Sequence, residues 1–235
     1  MNDAIVWLIK LLASHLLTDF VLQPKKWVDA RREKHLEAKE FWWHIIVTTL
    51  VAAWITNFDT WWVAVTIFVT HGLIDWWKSY RKESILYFGI DQILHLLVIF
   101  LIWQCRFTDF VMPLKWIKVY HFIPQFWVIA LGAIFLTSPV GIIIGMATKP
   151  FREKIGTQRE QSLENAGTWI GVLERIIIFF LVLIGQYEAI GLLIAAKSII
   201  RLREGEQKMS EYVLVGTLLS VSVAMLTGFI VSKLM

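Results

Sequence analysis

Histidine and an acidic residue recur four positions apart at four places in this 235-residue chain, more often than its composition alone would produce. On an α-helix, residues four apart lie one above the other on the same face, so each pair presents an imidazole and a carboxylate together. Facing helices of a bundle build metal sites from such pairs. The spacing therefore predicts a helical metal site built from these pairs: His15/Asp19, Glu40/His44, His71/Asp75 and Asp91/His95.

The predicted ligands are imidazoles and carboxylates without thiolates, a set that favours Zn²⁺ and also suits Fe²⁺ or Mn²⁺. They are too many for one tetrahedral ion, so they predict either one ion with outer carboxylates or a two-metal site. A bound ion could activate water, with Asp75 or Asp91 as the general base. A structural alternative, in which each histidine only hydrogen-bonds its own acid, stays open. The candidate ligands are His15, Asp19, His44, His71, Asp75, Asp91 and His95.

The composition indicates that these pairs lie in a membrane. The chain is 57% hydrophobic and 18% charged, with a mean hydropathy of +0.61, whereas soluble domains average about 45–50% and about 25%. The single Cys105 excludes a disulfide scaffold. The net charge of +4 comes from loop Lys and Arg, as in cytoplasmic loops of membrane proteins, so no nucleic-acid partner is predicted.

Apolar runs predict an all-α, polytopic transmembrane helical bundle of about eight spans. The seventh run has only fourteen residues and could instead be fused to the sixth, which would leave seven spans. The predicted spans cover residues 4–22, 41–55, 61–77, 85–103, 125–147, 169–184, 189–202 and 212–231.

Basic residues predict the orientation of this bundle. Lys and Arg concentrate in four connections, at 23–40, 78–84, 148–168 and 197–208. With eight spans, all four connections fall on the cytoplasmic side, and both termini are non-cytoplasmic. Along the chain, residues 1–103 are predicted to form a four-helix membrane half that carries the His/Asp cluster. Residues 104–168 would supply an outer loop, the fifth span and a cytoplasmic loop, and residues 169–235 a C-terminal membrane half.

This topology brings the four pairs to one depth. Each pair lies in the cytoplasmic half of its span, within about 15 Å of the cytoplasmic interface at a rise of 1.5 Å per residue. Acidic residues inside spans are costly, usually face the protein interior and mark function. A common depth is what a shared site requires.

The same residues resemble a bacterial membrane family catalogued as the domain of unknown function 3307 family. The resemblance spans roughly residues 8 to 100 and is carried by His15-Leu-Leu-Thr-Asp19-Phe-Val-Leu-Gln23, Lys34, His44, His71-Gly-Leu-Ile-Asp75 and Asp91-Gln92-Ile-Leu-His95. More distantly, the chain is similar to inner-membrane metal-dependent hydrolases with His-x-x-x-Asp helices. By analogy, this implies a hydrolase in the bacterial cytoplasmic (inner) membrane.

A second polar group lies in the C-terminal half and consists of Glu174, Arg175, Lys197 and Arg201. Salt bridges between helices, with snorkelling to the surface, would explain it structurally. A functional interpretation is a cationic substrate subsite for a phosphate or another anionic headgroup. His35 and His121 have no acid four residues away and are interpreted as solvated loop residues.

The sequence thus predicts a membrane-embedded metal-dependent hydrolase that acts on a lipid or amphiphilic substrate near the cytoplasmic leaflet. Two alternatives remain. One is a divalent-metal or proton-coupled transporter, because buried histidines and acids also form ion pathways. The other is a membrane scaffold or regulatory protein with a structural metal site. The substrate, the number of ions and the oligomeric state are left open.

Overall fold

The computed structural model describes residues 2–58, 60–107, 125–155, 166–201 and 207–235, and these residues contain helices but no strand. The predicted all-α class is therefore confirmed. A single 3-10 turn, His35–Glu37, lies between the second and third helices. The helices are α1 (Asn2–Phe20), α2 (Lys25–Lys34), α3 (Lys39–Ile55), α4 (Trp61–Ser79), α5 (Ile85–Arg106), α6 (Gln125–Leu136), α7 (Ser138–Ala147), α8 (Lys149–Ile155), α9 (Ala166–Leu183), α10 (Tyr187–Arg201) and α11 (Gln207–Leu234).

Four helical segments in the described part of the chain are long and apolar enough to cross a membrane: Ile85–Arg106, Gln125–Ala147, Ala166–Leu183 and Glu211–Leu234. A fifth would be the pair Asp3–Phe20 and Lys25–Glu37, if these helices, bent by 78°, form one broken span. The chain thus has the helices of a membrane protein. The predicted count of eight spans is not supported.

Length and polarity explain the lower count. Helix α3 has only 17 residues and α10 only 15. Helix α4 has 19 residues but carries His71, Asp75 and Lys78, which make it less apolar than a typical span. A turn at Gly185, where φ is +73°, separates α9 from α10, so the predicted sixth and seventh spans are two helices and not one.

The described chain divides into two compact units, residues 1–131 with Met235 and residues 132–234. The first unit contains α1 to α5, which carry every predicted metal ligand. The three-segment division of the sequence, at 103/104 and 168/169, stays a prediction.

Helices α4 and α5 each bury one stripe that is polar towards one end and apolar towards the other. On α4, the buried residues are spaced by four: Val63, Ile67, His71, Asp75 and Ser79. An i, i+4 stripe is the face that a helix presents to its neighbours. The apolar end of this stripe packs in the core of the first unit. Because the polar end lies on the same face of α4, it also faces the neighbouring helices. Helix α5 repeats the pattern with Asp91, His95, Ile99 and Trp103.

The core at the apolar end consists of Trp7, Leu11, Ala52, Val63, Ile67, Ile99, Ile102 and Trp103. Large apolar side chains also point outward, among them Leu50, Leu73, Ile93 and Leu101, each more than half exposed. A soluble protein rarely exposes so many large apolar residues together. Polar residues inside and apolar residues outside are the arrangement expected of helices surrounded by lipid.

In the second unit, α9 packs closely against α11 at Gly228. A Cβ built there would lie 2.8 Å from Val182 Cβ and 3.3 Å from the Phe179 carbonyl oxygen. The first distance is shorter than real Cβ contacts and the second is tighter than most of them, so a larger residue at position 228 would force α9 or α11 to shift. Small residues at such crossings are typical of membrane helices.

Candidate metal centre

Three helices bring one carboxylate and two imidazoles to a common point. Asp19 lies in the last turn of α1, His44 lies on α3 and His71 lies on α4. The two Nε2 atoms of His44 and His71 are 3.0 Å apart, and each lies 3.6 Å from Oδ1 of Asp19. Both histidines are almost fully buried. We call Asp19, His44 and His71 the primary triad.

Asp75 lies against the same pair of histidines, one turn further along α4. Its Oδ2 atom is 3.4 Å from His44 Nε2 and 3.7 Å from His71 Nε2. The same oxygen accepts a hydrogen bond from Nη1 of Arg31, which reaches it from α2. Both members of this ion pair are buried. Arg31 therefore holds the Asp75 carboxylate in place beside the primary triad.

Asp19 is also shared with a second group of candidate ligands, His15 and His95. Their ligand atoms lie within 4.8 Å of one another. His15 Nδ1 is 3.6 Å from Asp19 Oδ1, and the rings of His15 and His95 stack with their centroids 4.9 Å apart. We call His15, Asp19 and His95 the secondary triad.

The ring nitrogens of the secondary triad are oriented as metal ligands usually are, with one nitrogen held and the other free. Nδ1 of His95 donates to the backbone carbonyl of Asp91 at 2.9 Å, and Nε2 is buried without a hydrogen-bond partner. In His15, Nε2 lies 3.3 Å from Oε1 of Gln92, and Nδ1 faces Asp19. A buried nitrogen without a partner is costly unless something binds it.

Asp91 is completely buried but belongs to neither triad. Its Oδ2 accepts hydrogen bonds from Nζ of Lys78 and, at 2.9 Å, from Nε2 of Gln92. Its Oδ1 is 3.6 Å from His95 Nδ1 and has no hydrogen-bond partner. Asp91, itself predicted as a ligand, thus lies next to the other candidate ligands and contacts His95 through its backbone carbonyl and Gln92 through its side chain.

A small cavity of about 30 Å³ adjoins the cluster, in contact with His15, His71 and His95. It continues towards the apolar core of the unit between Ser14, Thr48, Thr70, Leu11, Ala52, Ile67, Val98 and Ile99. Its volume is sufficient for about one or two water molecules. Polar ligands at one end and hydroxyl groups along the wall could hold water beside a bound ion.

The distances between ligand atoms test whether the residues fit a metal ion. For Zn–N and Zn–O bonds of about 2.0–2.1 Å, a tetrahedral arrangement places the ligand atoms about 3.3–3.4 Å apart. In the primary triad and Asp75, the separations that involve His44 and His71 run from 3.0 to 3.7 Å. The cluster therefore fits a divalent transition metal by chemistry and by spacing.

Of the four predicted pairs, Glu40/His44 does not act as a pair. His44 approaches Asp19 and Asp75 on other helices, while Glu40 is half-buried and belongs to none of the candidate ligand groups in the described chain. The remaining pairs do meet, at 3.6 Å in His15/Asp19, 3.7 Å in His71/Asp75 and 3.6 Å in Asp91/His95.

The second predicted polar group is engaged in structural contacts. Arg175 is buried and donates from Nε to the Leu136 carbonyl at 2.6 Å and from Nη2 to the Thr137 carbonyl at 2.9 Å. These carbonyls lie where α6 ends, and the guanidinium satisfies them. Glu174 forms an ion pair with Lys197. The Arg201 side chain lies outside the described residues, and the substrate role of the group stays a prediction.

Three polar neighbours of the cluster were not predicted as site residues: Arg31, Lys78 and Gln92. Arg31 was one basic residue among several in a loop. Lys78 gave a usable signal, because it follows Asp75 by three positions and so shares its face of α4.

The prediction that His35 is a solvated loop residue is wrong. His35 is half-buried, its Nδ1 lies 2.8 Å from Ser79 Oγ, and its ring stacks on Tyr80.

Comparison with known proteins shows that the candidate ligands lie within a segment of the chain that matches one protein family. Residues 7–123 match the family described as "Protein of unknown function (DUF3307)". All seven predicted ligands lie within this segment. No curated protein and no solved structure gave a significant match, so the predicted similarity to inner-membrane metal-dependent hydrolases is not shown. Residues 7–123 thus form a domain that belongs to the DUF3307 family.

Proposed function

We propose that this chain is a membrane-embedded metal-dependent hydrolase, which binds a divalent transition metal through Asp19, His44 and His71. The proposal includes an inner-membrane location in bacteria, a site near the cytoplasmic leaflet and a lipid or amphiphilic substrate. Zn²⁺ is the preferred ion, with Fe²⁺ or Mn²⁺ as alternatives. The observation that supports it best is the buried meeting of one carboxylate and two imidazoles from three helices.

Two histidines and one carboxylate are the ligand set of catalytic zinc sites in several hydrolases, where a further position stays open. When bound, such an ion would supply Lewis-acid activation of water. The chain's own residues would then orient the ligands and accept the proton that the water loses. In this proposal Asp75, which pairs with Arg31 and lies beside both histidines, would accept a proton from a water molecule bound at the ion. Asp91, the other predicted general base, is engaged with Lys78 and Gln92, and we assign it to positioning His95.

The proposal is tested by metal content and by hydrolysis. Protein purified in detergent is analysed for bound transition metals and then incubated with vesicles that carry a panel of phospholipids and acyl esters. The substitution His44→Ala is expected to abolish stoichiometric metal and turnover together. His35→Ala is the matched control, because His35 is also partly buried on the same unit but lies outside both triads. Wild-type protein without stoichiometric metal would refute the proposal.

Transport of a divalent metal or protons is a second candidate, favoured by the cavity that continues from the histidines towards the apolar core. Its wall contains Ser14, Thr48 and Thr70, and the Thr48 hydroxyl is buried without a hydrogen-bond partner. Hydroxyl groups in that position could line an ion path. Metal uptake into proteoliposomes, lost in Thr48→Val, would favour transport over hydrolysis. Bound metal with neither turnover nor uptake would favour the third predicted role, a scaffold with a structural ion.

A further inference from the structure

The three carboxylates of the cluster differ in their cationic partners. Arg31 pairs with Asp75, and Lys78 pairs with Asp91. Asp19 approaches three histidines, and no Lys or Arg of the described chain forms an ion pair with it. Asp19 is therefore the one carboxylate of the cluster whose charge has no basic side chain among the described residues to balance it.

Geometry alone would admit two ions. The primary and secondary triads share Asp19, and a carboxylate between two ions is common in two-metal sites with ions about 3.5–4 Å apart. The secondary triad has a free ligand nitrogen, because His95 Nε2 is buried without a hydrogen-bond partner. Asp91 adds a free oxygen, Oδ1, 3.6 Å from the same ring.

The charge of the described cluster opposes a second ion. Three carboxylates, one guanidinium and one ammonium leave a single net negative charge while the histidines are neutral. One divalent ion would turn this into a single positive charge, and a second ion would leave three positive charges in a buried site. Buried charges that are not compensated are among the most costly features a protein can contain.

We propose that the Lys78 ammonium takes the place of a second metal ion, next to Asp91, so that the wild-type chain holds one divalent ion in the primary triad. Lys78 is suited to this role because its head group contacts a carboxylate that is completely buried, while a quarter of its side chain stays accessible. An ammonium group next to Asp91 supplies positive charge without acting as a metal ligand. This inference rests on the proposed metal binding and specifies its stoichiometry.

Metal stoichiometry tests the inference without any assay of turnover. Purified wild type, Lys78→Met and the double variant Lys78→Met/Asp91→Asn are loaded with Mn²⁺ or Zn²⁺, freed of excess metal and analysed for ions per chain. Methionine keeps the length of the lysine chain and removes its charge. We expect one ion in wild type. In Lys78→Met, the charge of the cluster with two ions falls from +3 to +2 and Asp91 Oδ2 loses its ammonium partner, so both the charge and the freed oxygen favour a second ion. The double variant removes that carboxylate oxygen and returns the charge with two ions to +3, so it should again hold one ion. The second ion should bind Lys78→Met at least 100-fold more tightly than it binds wild type.

Electron paramagnetic resonance of the manganese-loaded proteins provides a second readout. Two ions that share Asp19 would be magnetically coupled in Lys78→Met, whereas wild type should show isolated Mn²⁺. Two ions in wild type, or one ion in folded Lys78→Met, would overturn the inference while the proposed metal site still stood. No ion in wild type would overturn the proposed function itself. Two ions in wild type would overturn the inference even if Lys78→Met does not fold.

Discussion

Substitution of Asp19 by asparagine changes the shape of the side chain very little but should weaken metal binding strongly. The two side chains have nearly the same shape, so the variant removes one negative charge and leaves the packing intact. Asp19 Oδ1 lies 3.6 Å from a ring nitrogen of each of three histidines. An ion held by those nitrogens would lie within about 4 Å of the carboxylate, where a unit charge pair is worth about 4 kcal/mol at an effective dielectric constant of 20.

The ion carries two charges, which would increase this loss, but the asparagine amide and water would restore part of the binding free energy that the carboxylate supplied. We therefore expect a loss of at least about 4 kcal/mol in binding free energy, which corresponds to about 1,000-fold in affinity. Asp91→Asn is the matched control, because Asp91 is a more deeply buried carboxylate of the same cluster but lies outside both triads and is paired with Lys78. Loss of a residue that orients ligands costs about 10–100-fold.

Affinity is measured by competition with a chelator of known strength, in detergent micelles at fixed pH and ionic strength. Circular dichroism and size-exclusion chromatography of each variant show whether it is folded. An Asp19→Asn variant within tenfold of wild type, or an Asp91→Asn variant that binds less well than Asp19→Asn, would refute the assignment of Asp19 as the central ligand.

Three further predictions concern stability, measured by unfolding in detergent. Arg31→Met should destabilise the chain by about 3–5 kcal/mol, because it leaves the buried Asp75 carboxylate unpaired; a loss below about 1 kcal/mol, the value of a surface pair, would contradict this. Gly228→Ala should cost about 1–3 kcal/mol through its clash with α9, whereas Gly216→Ala, with open space around it, should be neutral or slightly stabilising; equal effects would refute the packing argument. Arg175→Met should cost about 2 kcal/mol or more, since two backbone carbonyls lose their donor; unchanged stability would show that other groups satisfy them.

The stability predictions separate two uses of buried charge in this chain. In the first unit, Arg31 pairs with Asp75 and Lys78 pairs with Asp91, beside the candidate ligands. These two cations lower the net negative charge of the cluster and therefore limit how much positive charge a bound metal can add. In the second unit, Arg175 binds backbone carbonyls and acts on the helix ends. Both arrangements satisfy groups that lipid cannot solvate. The first arrangement places charge next to the candidate metal ligands.

Helix class and the choice of candidate ligands followed from the sequence by itself. Residues four apart share a helical face whatever the neighbouring helices are, so His71/Asp75 and Asp91/His95 could be recognised as pairs. The apolar composition predicted a membrane chain for the same local reason. The number of spans did not follow from the sequence. Polar residues such as Asp75 face the interior of the protein, but they make their helix less apolar than a typical membrane span.

Which acidic residue each histidine contacts was decided only by the tertiary structure. His44 has Glu40 one turn away, yet it approaches Asp19 and Asp75, because helix rotation and crossing select the partners of a buried face. Arg31 and Lys78 looked like ordinary loop and end-of-helix cations until folding brought them to buried carboxylates. Sequence spacing determines what one helix can present, and packing determines what that face meets. In this protein, that second step brought the residues of the four predicted pairs, except Glu40, into one charged cluster around Asp19.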